Sequence, residues 1–487
     1  MITIKRSIAR LCALLLAFST LAPIALPSAQ DEEPQGLFRW SVGVEDLGAV
    51  VLPQAGGGAG GWASGPNGIF YRKIPGFGVD PTYEVIIRAP YSGSATYPER
   101  LIVQIPPGFN SKPFHERAVV VGFHKFSTSE KGIFLNTNLP YEASQRGWLL
   151  VAPYGLSDTS FANPQSQASL QAVFNVLYGI IPFNYRRIYA VGFSMGGLNA
   201  LSYAGRHLDR LQMQFAGVVV HTAPLDMPLT FGASPLSYQI LLANSKHFKG
   251  TALAEPFEYE RVSPVQFTAG GLVDPDKAPV LNFSNRPIYL HTNLADPNVQ
   301  FVDGMSSLSA FLQQRGAYVH ENLVHDPVEG HSWNTLPLTQ ALDYVGAYEI
   351  GTGASQTQEF FADNPGRWLH VDVESISPDA FGRFNIEIAP VAASQLNSFS
   401  IEATRDLDEI KVKLARLGLS ASVPLRILHD STDGTSDLVR IQGYSSEPSA
   451  VLTDGQPLLN WIYGTHSKEL VIQPSMNGNA VVIDVMP

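Results

Sequence analysis

Stretches such as "AVVVG" (118–122), "WLLVAP" (148–153), "RIYAVGF" (187–193), "GVVVH" (217–221) and "PIYLH" (287–291) are apolar at successive positions. A strand with one wet face alternates, so a strand apolar throughout must be covered on both faces, as in a parallel sheet. "AYVHENLV" (317–324) continues the series. Between these runs lie segments with helical character: "LPYEASQRG", "SLQAVFNVLYGI", "GLNALSYAGRHL" and "MSSLSAFLQQRG". Strand alternating with helix predicts the α/β class, a mostly parallel sheet covered by helices. "YEVIIRAP" and "RLIVQIPPGF" upstream predict an antiparallel start, and the whole domain is placed at 66–349. Residues 222–285, rich in Pro and aromatics, break the rhythm. They read as an insertion over the C-terminal edge of the sheet, without a clean helix or strand.

Beyond 350 the pattern changes. "IGTGASQTQE" (350–359) has the composition of a linker, and segments such as "RFNIEIAP", "EIKVKL" and "AVVIDVM" then alternate with period two. Many short alternating strands with turn signals between them predict a separate C-terminal all-β domain over 360–487. "DSTDGTSD" (430–437) lacks the ligand spacing of a calcium loop and reads as a hairpin turn. In that domain Trp368, Trp461 and Tyr463 are either core aromatics or a flat face for adsorbing a polymer; core burial is the commoner fate.

The first residues have the form of an export signal. Lys5, Arg6 and Arg10 precede an apolar stretch at 11–21, and Ala29 suits cleavage. A secreted protein, periplasmic or extracellular, is expected, with no stable membrane anchor. The glycine-rich stretch in 30–65 lacks the Lys-Ser/Thr of a phosphate loop and reads as an N-terminal linker. The only cysteine, Cys12, lies in the leader. The processed chain is thus expected to have no disulfide, no cysteine nucleophile and no Cys-ligated metal. A net charge of −11, more negative still once the leader is gone, argues against nucleic acid as a partner.

The chemistry is carried by "YAVGFSMGG" (189–197), where Gly192-Phe193-Ser194-Met195-Gly196 fits G-x-S-x-G. Strand character before it and helical character after it match a sharp turn that exposes a serine in strained backbone geometry. A serine hydroxyl needs a base to take its proton and a carboxylate to orient that base. In a sheet of this class the order along the chain is Ser, acid, His. Asp296, just after "PIYLH", stands where open α/β sheets place their sites; Asp303 and Asp226 are the alternatives. His331 in "EGHSW" lies a full loop beyond the last strand, and His325 is its competitor. The oxyanion needs two backbone N–H groups. One is that of Met195. The other falls in "FHKFST", with Phe126 favoured and His124 and Lys125 open. The His124 side chain is expected to brace the loop.

With these pieces the chain resembles the α/β-hydrolase superfamily, more narrowly its secreted esterase and prolyl-oligopeptidase-like branch, including polyester-depolymerase-like esterases. "NYRRIYAVGFSMGG", "ERVSP", "RPIYLHTNLADPNV" and "EGHSW" carry the resemblance over roughly residues 83–350. It implies an α/β-hydrolase fold and a serine hydrolase with Ser194 as nucleophile, Asp296 as orienting acid and His331 as base. No metal or organic cofactor is implied. The β-propeller that precedes peptidase members has no counterpart before residue 83, which favours an ester substrate, small-molecule or polymeric. A serine peptidase and a non-catalytic binder on the same fold are the other readings. A peptidase would want a charged group in the insertion, Glu258, Glu260 or Arg261, to capture a peptide terminus.

Overall fold

The computed structural model describes residues 61–487 apart from 66–68, 91–95, 209–212, 246–247, 284–285, 352–356, 364–365, 369–370, 376–380, 390–396, 434–436 and 475–479. The export leader and most of the glycine-rich stretch lie outside the described residues. A ten-stranded sheet organises the first part. In chain order its strands are β1 (Ala63–Ser64), β2 (Phe70–Lys73), β3 (Thr82–Pro90), β4 (Thr96–Gln104) and β5 (Val119–Phe123), then β6 (Leu149–Pro153), β7 (Ile188–Phe193), β8 (Gly217–His221), β9 (Ile288–Asn293) and β10 (Val319–Val324). They lie in the order β1-β2-β3-β4-β6-β5-β7-β8-β9-β10. The leading strands pair antiparallel, and every pair from β6 through β5, β7, β8 and β9 to β10 is parallel.

The unbroken apolar runs have the physical cause expected of them. β5, β6, β7, β8 and β9 are buried at every residue, with helices such as Leu139–Arg146, Pro164–Ile180, Met195–Arg206 and Val299–Gln314 at the connections. β10 is the edge strand and is only half-buried, which is why "VHENLV" tolerates His, Glu and Asn. Parallel order sends the loops after β5, β7, β8, β9 and β10 out at one end of the sheet, and these loops carry the site.

The insertion differs from its sequence reading. It contains the helices Met227–Ala233, Leu236–Ala243 and Pro256–Glu260. Each is short and begins with Pro within or just before its first turn, a position that fits a helix start. With eight residues or fewer in each, little more than two turns, no apolar period builds up for the eye to find.

The C-terminal part is strand-rich. A seven-stranded and a six-stranded sheet share a core that includes Ile401, Ile410, Ile427, Val439 and Ile483. The stretch 430–437 is not a hairpin turn. It joins Leu425–Ser431 in one sheet to Leu438–Gln442 in the other, and the chain crosses the sandwich there. Thr357–Asp363 is already a strand and begins inside the stretch read as linker. Trp461 and Tyr463 are partly buried against the β core; the side chain of Trp368 lies outside the described residues.

The crossing is pinned by a buried polar knot. His429 Nε2 donates to Asp437 Oδ2 at 2.9 Å, and Thr404 Oγ1 donates to the same oxygen at 2.8 Å, with all three residues fully buried. Removing one member of such a pair strands the other. Asp437→Ala should therefore cost about 3–5 kcal/mol in denaturant unfolding of the full chain, and His429→Leu/Asp437→Leu less than the sum of its single changes. A loss within the noise for Asp437→Ala would remove the knot's structural importance.

Candidate active site

β7 runs into the helix Met195–Arg206 through Ser194, whose φ of 57° and ψ of −127° are rare for a residue with a side chain. The turn is this tight because the backbone on either side closes up. A Cβ on Gly192 would lie 2.0 Å from Gly196 O, and one on Gly196 would lie 2.2 Å from Phe123 O. Only glycine fits at either position. The second approach brings the helix start against the end of β5, where the loop containing Phe126 begins. The Ser194 N–H donates to His221 O at 3.0 Å, which fixes the elbow to the end of β8.

Asp296 follows β9 and is 3% exposed. Its Oδ2 accepts from His331 Nδ1 at 2.5 Å, and its Oδ1 accepts from Asn298 N and Nδ2 at 2.8 and 2.9 Å. Burial pushes the Asp296 carboxyl up, but the His331 and Asn298 hydrogen bonds outweigh it and hold it below its usual value. An ionised acceptor on Nδ1–H leaves Nε2 as the nitrogen that can take a proton. The imidazole packs on the ring of Phe193, immediately before the serine, at a centroid distance of 4.4 Å. Among the described residues no hydrogen bond joins the Ser194 hydroxyl to His331. Such nucleophile–base contacts are often long until substrate arrives.

A fully parallel run of strands, a serine on a strained strand-to-helix elbow, then a carboxylate after β9 and a histidine after β10 make a specific combination. The fold is that of an α/β-hydrolase.

The other sequence candidates fall elsewhere. Asp303 is exposed on the helix Val299–Gln314 and His325 is exposed beyond β10. Asp226 caps the helix Met227–Ala233, accepting from Leu229 N and, with its other oxygen, from Phe267 N. Met195 is the first residue of the elbow helix, so its N–H has no acceptor within that helix. Phe126 sits in the turn after β5, whose Ser127 N–H donates to Asp158 O and whose Lys125 carbonyl accepts from Thr128 Oγ1. The Phe126 ring packs on Tyr238 of the insertion and on Phe161. Met195 belongs to the same apolar cluster, so the two residues chosen as oxyanion donors share one wall of the site. His124 sets both ring nitrogens against carbonyls, those of Lys125 and Tyr154, each at 2.9 Å. That is a loop brace. Glu258 forms ion pairs with Lys249 and Arg261, while Glu260 is half-buried at the end of the helix Pro256–Glu260.

Residues that the sequence reading passed over hold the two loops. Asn293, fully buried at the end of β9, donates to Asp326 O and Gly330 O at 2.9 and 2.7 Å and accepts from the N–H groups of Ala295 and Asp326. One amide thus ties the acid's loop to the base's loop. Glu99 in β4 is fully buried and accepts from Gly155 and Leu156 N–H at 2.7 and 2.8 Å, which anchors the segment whose Tyr154 carbonyl holds His124. Asn293 closes an apolar run, a pattern that does not tell a clamp from a strand end meeting water; Glu99 breaks an apolar alternation in "YPERLIVQ".

No family model matches the chain, and no curated protein does. Among solved structures it is similar to a ferulic acid esterase (14% identity, 55% of this chain and 98% of that one, TM-score 0.40). It is also similar to an S-formylglutathione hydrolase from Agrobacterium tumefaciens (15%, 57% and 98%, TM-score 0.39) and to dipeptidyl peptidase 4 of Porphyromonas gingivalis (13%, 55% and 36%, TM-score 0.38). The fold assignment rests on the chain's own topology and elbow.

Two outcomes follow from this geometry. Ser194 is strained by its positive φ, at a cost of about 1–3 kcal/mol; Ser194→Gly should raise the unfolding free energy by about 1 kcal/mol, and a clear loss of stability would show that the turn is not strained. Burial pushes the Glu99 carboxyl up to about 7 from 4.5, against the Gly155 and Leu156 hydrogen bonds. The folded chain then keeps a proton that the unfolded chain releases, so this group's contribution falls as pH rises from about 4.5 to 7. In thermal unfolding at pH 5 and pH 8, Glu99→Gln should gain on the parent at the higher pH; an unchanged gap would contradict the assignment.

Proposed function

We propose that the chain is an exported serine hydrolase that cleaves carboxylic esters through an acyl-enzyme. The observation that carries the reading is the 2.5 Å bond from His331 Nδ1 to buried Asp296, with the imidazole packed beside a serine on a strained elbow. In this reading His331 Nε2 takes the Ser194 proton as Oγ attacks the ester carbonyl. Asp296 holds the ring and stabilises the imidazolium. The carbonyl oxygen becomes an oxyanion and accepts from the N–H groups of Met195 and Phe126. His331 returns its proton to the leaving alkoxide, and the alcohol departs. A water then gives a proton to His331 and attacks the acyl carbon; the bond to Ser194 Oγ breaks, His331 returns the proton to Oγ, and the carboxylic acid departs.

An ester is preferred to an amide because the alcohol leaves readily and Glu258 is already paired with Lys249 and Arg261. The substrate is taken to be an ester of small-molecule or polymeric type, with no nucleic acid partner and no metal in the chemistry. Export is proposed on the leader alone. Among the described residues, no helix is long and apolar enough to cross a membrane.

Hydrolysis of a short p-nitrophenyl ester tests the reading. Ser194→Ala and His331→Ala should each lower kcat by roughly 10⁴-fold or more, and a fluorophosphonate should label the parent and spare Ser194→Ala. A parental rate in Ser194→Ala would end the proposal. Comparing esters and amides of one acyl group separates esterase from peptidase, and a panel of acyl lengths with a polyester film and a feruloyl ester narrows the substrate.

A further inference from the structure

Strand register aligns one row of side chains across the parallel sheet. Phe193 pairs with His221, His221 with His291, and His291 with Asn322. Residues in register point to the same face, so this row forms a floor. The loop carrying His331 lies against it. Phe193 sits between two imidazoles, with His221 stacked at 4.6 Å and His331 at 4.4 Å.

The hydrogen bonds of the row determine where its protons are. His221 is fully buried, and its Nε2 lies 2.7 Å from Ser332 O. Both ring nitrogens face carbonyls, which only accept, but Nδ1 lies 3.4 Å from His291 O; the much shorter Ser332 contact takes the hydrogen, so Nε2 carries it. Nδ1 is then the acceptor, and the Thr222 hydroxyl supplies a donor at 3.2 Å. By the same argument His291 places its hydrogen on Nδ1, donating to Asn322 Oδ1 at 2.7 Å. Burial, and then the neighbouring His291, push His221 down to about 3, so the ring stays neutral and keeps this one tautomer across ordinary pH. Thr222 adopts a φ of 31° directly after it, a costly backbone for a β-branched residue and a mark of a position the surroundings impose.

Two fixed contacts therefore meet in one residue. The carbonyl of His221 holds the Ser194 N–H, while its ring holds the carbonyl next to His331. On the other side of His331, the Gly330 carbonyl is held by Asn293. We infer that His221 is a positioning residue for the reaction: it fixes the spacing between nucleophile and base by bonding to the serine through its backbone and to the base's loop through its Nε2–H. The inference rests on the serine-hydrolase reading above. It assigns His221 no contact with substrate.

His221→Gln and His221→Asn separate the donor from mere bulk. The Gln amide nitrogen reaches the former Nε2 position, whereas that of Asn stops near Nδ1. His221→Asn should lower kcat on the order of 10- to 100-fold with KM within about twofold, since misplacement near 1 Å can cost that much; His221→Gln should recover most of the loss. The short Asp296–His331 bond should give a proton resonance far downfield of the amides in the parent and in His221→Gln, weakened or shifted in His221→Asn. Equal impairment of both variants, or parental kcat and resonance in both, would overturn the inference. A ¹⁵N spectrum of the parent showing His221 as the Nδ1–H tautomer would do so without any variant. Ser194→Ala serves as the control: if it hydrolyses the ester as fast as the parent, the esterase reading fails, while the downfield proton and the tautomer still decide whether His221 braces His331.

Discussion

The close approach of the elbow helix to the end of β5 is the constraint from which the site follows. With Gly196 against the Phe123 carbonyl and Gly192 against Gly196, the chain leaves β7 with no room for a wider turn. Ser194 is forced into positive φ, its side chain leaves the strand end, and the Met195 N–H begins the helix beside the loop of Phe126. Ser194 and the wall that carries Met195 and Phe126 are therefore set by one backbone contact. The insertion then covers that contact with Tyr238 and Met227, which belong to the same apolar cluster as Met195. Packing of this kind excludes water, and hydrogen bonds to a developing charge are stronger in such a setting.

His331 comes from a weaker part of the fold. β10 is a half-buried edge strand, and the loop after it has no helix of its own before residue 333. Rigidity is supplied from beneath, by side chains at the ends of β8 and β9. Both strands are buried throughout, so their ends are well-defined points in space. A loop whose carbonyls are bonded to them inherits that precision. The His331 imidazole, on an edge loop, thus borrows its order from the sheet interior.

How much of this was legible in the sequence depends on the kind of signal. The class of fold was plain because strands buried on both faces write themselves as continuous apolar runs, and the elbow was plain because glycine is required by contact at fixed offsets from Ser194. Ser194, Asp296 and His331 follow from chain order and strand ends, and the structure brings the last two into contact. The insertion helices were invisible because each is too short for periodicity. The helix Leu338–Gly346 did carry a signal, with Leu338, Ala341, Leu342 and Val345 buried at helical spacing, and it was missed. His221 and Asn293 were hidden for a different reason. A polar residue closing an apolar run looks like a strand end meeting water; only register and the fold of a distant loop reveal that it meets a carbonyl. The stretch 430–437 misled because its turn composition suits a crossing between sheets as well as a hairpin within one.

The β-rich part bears on how the ten-stranded sheet domain is held. Asn282, in the turn Pro279–Phe283 before β9, treats the strand Thr357–Asp363 as a neighbour: its side chain donates to Phe361 O and accepts from Phe361 N, while also donating to Gly205 O at the end of the elbow helix. Leu208 joins the apolar core of the β part, and Phe381 packs on Phe257 of the insertion. These contacts reach the far end of the elbow helix and the insertion that covers its start. A module hung on a loose tether would leave those surfaces to solvent. The polar and apolar contacts together tie this part to the elements that frame Ser194.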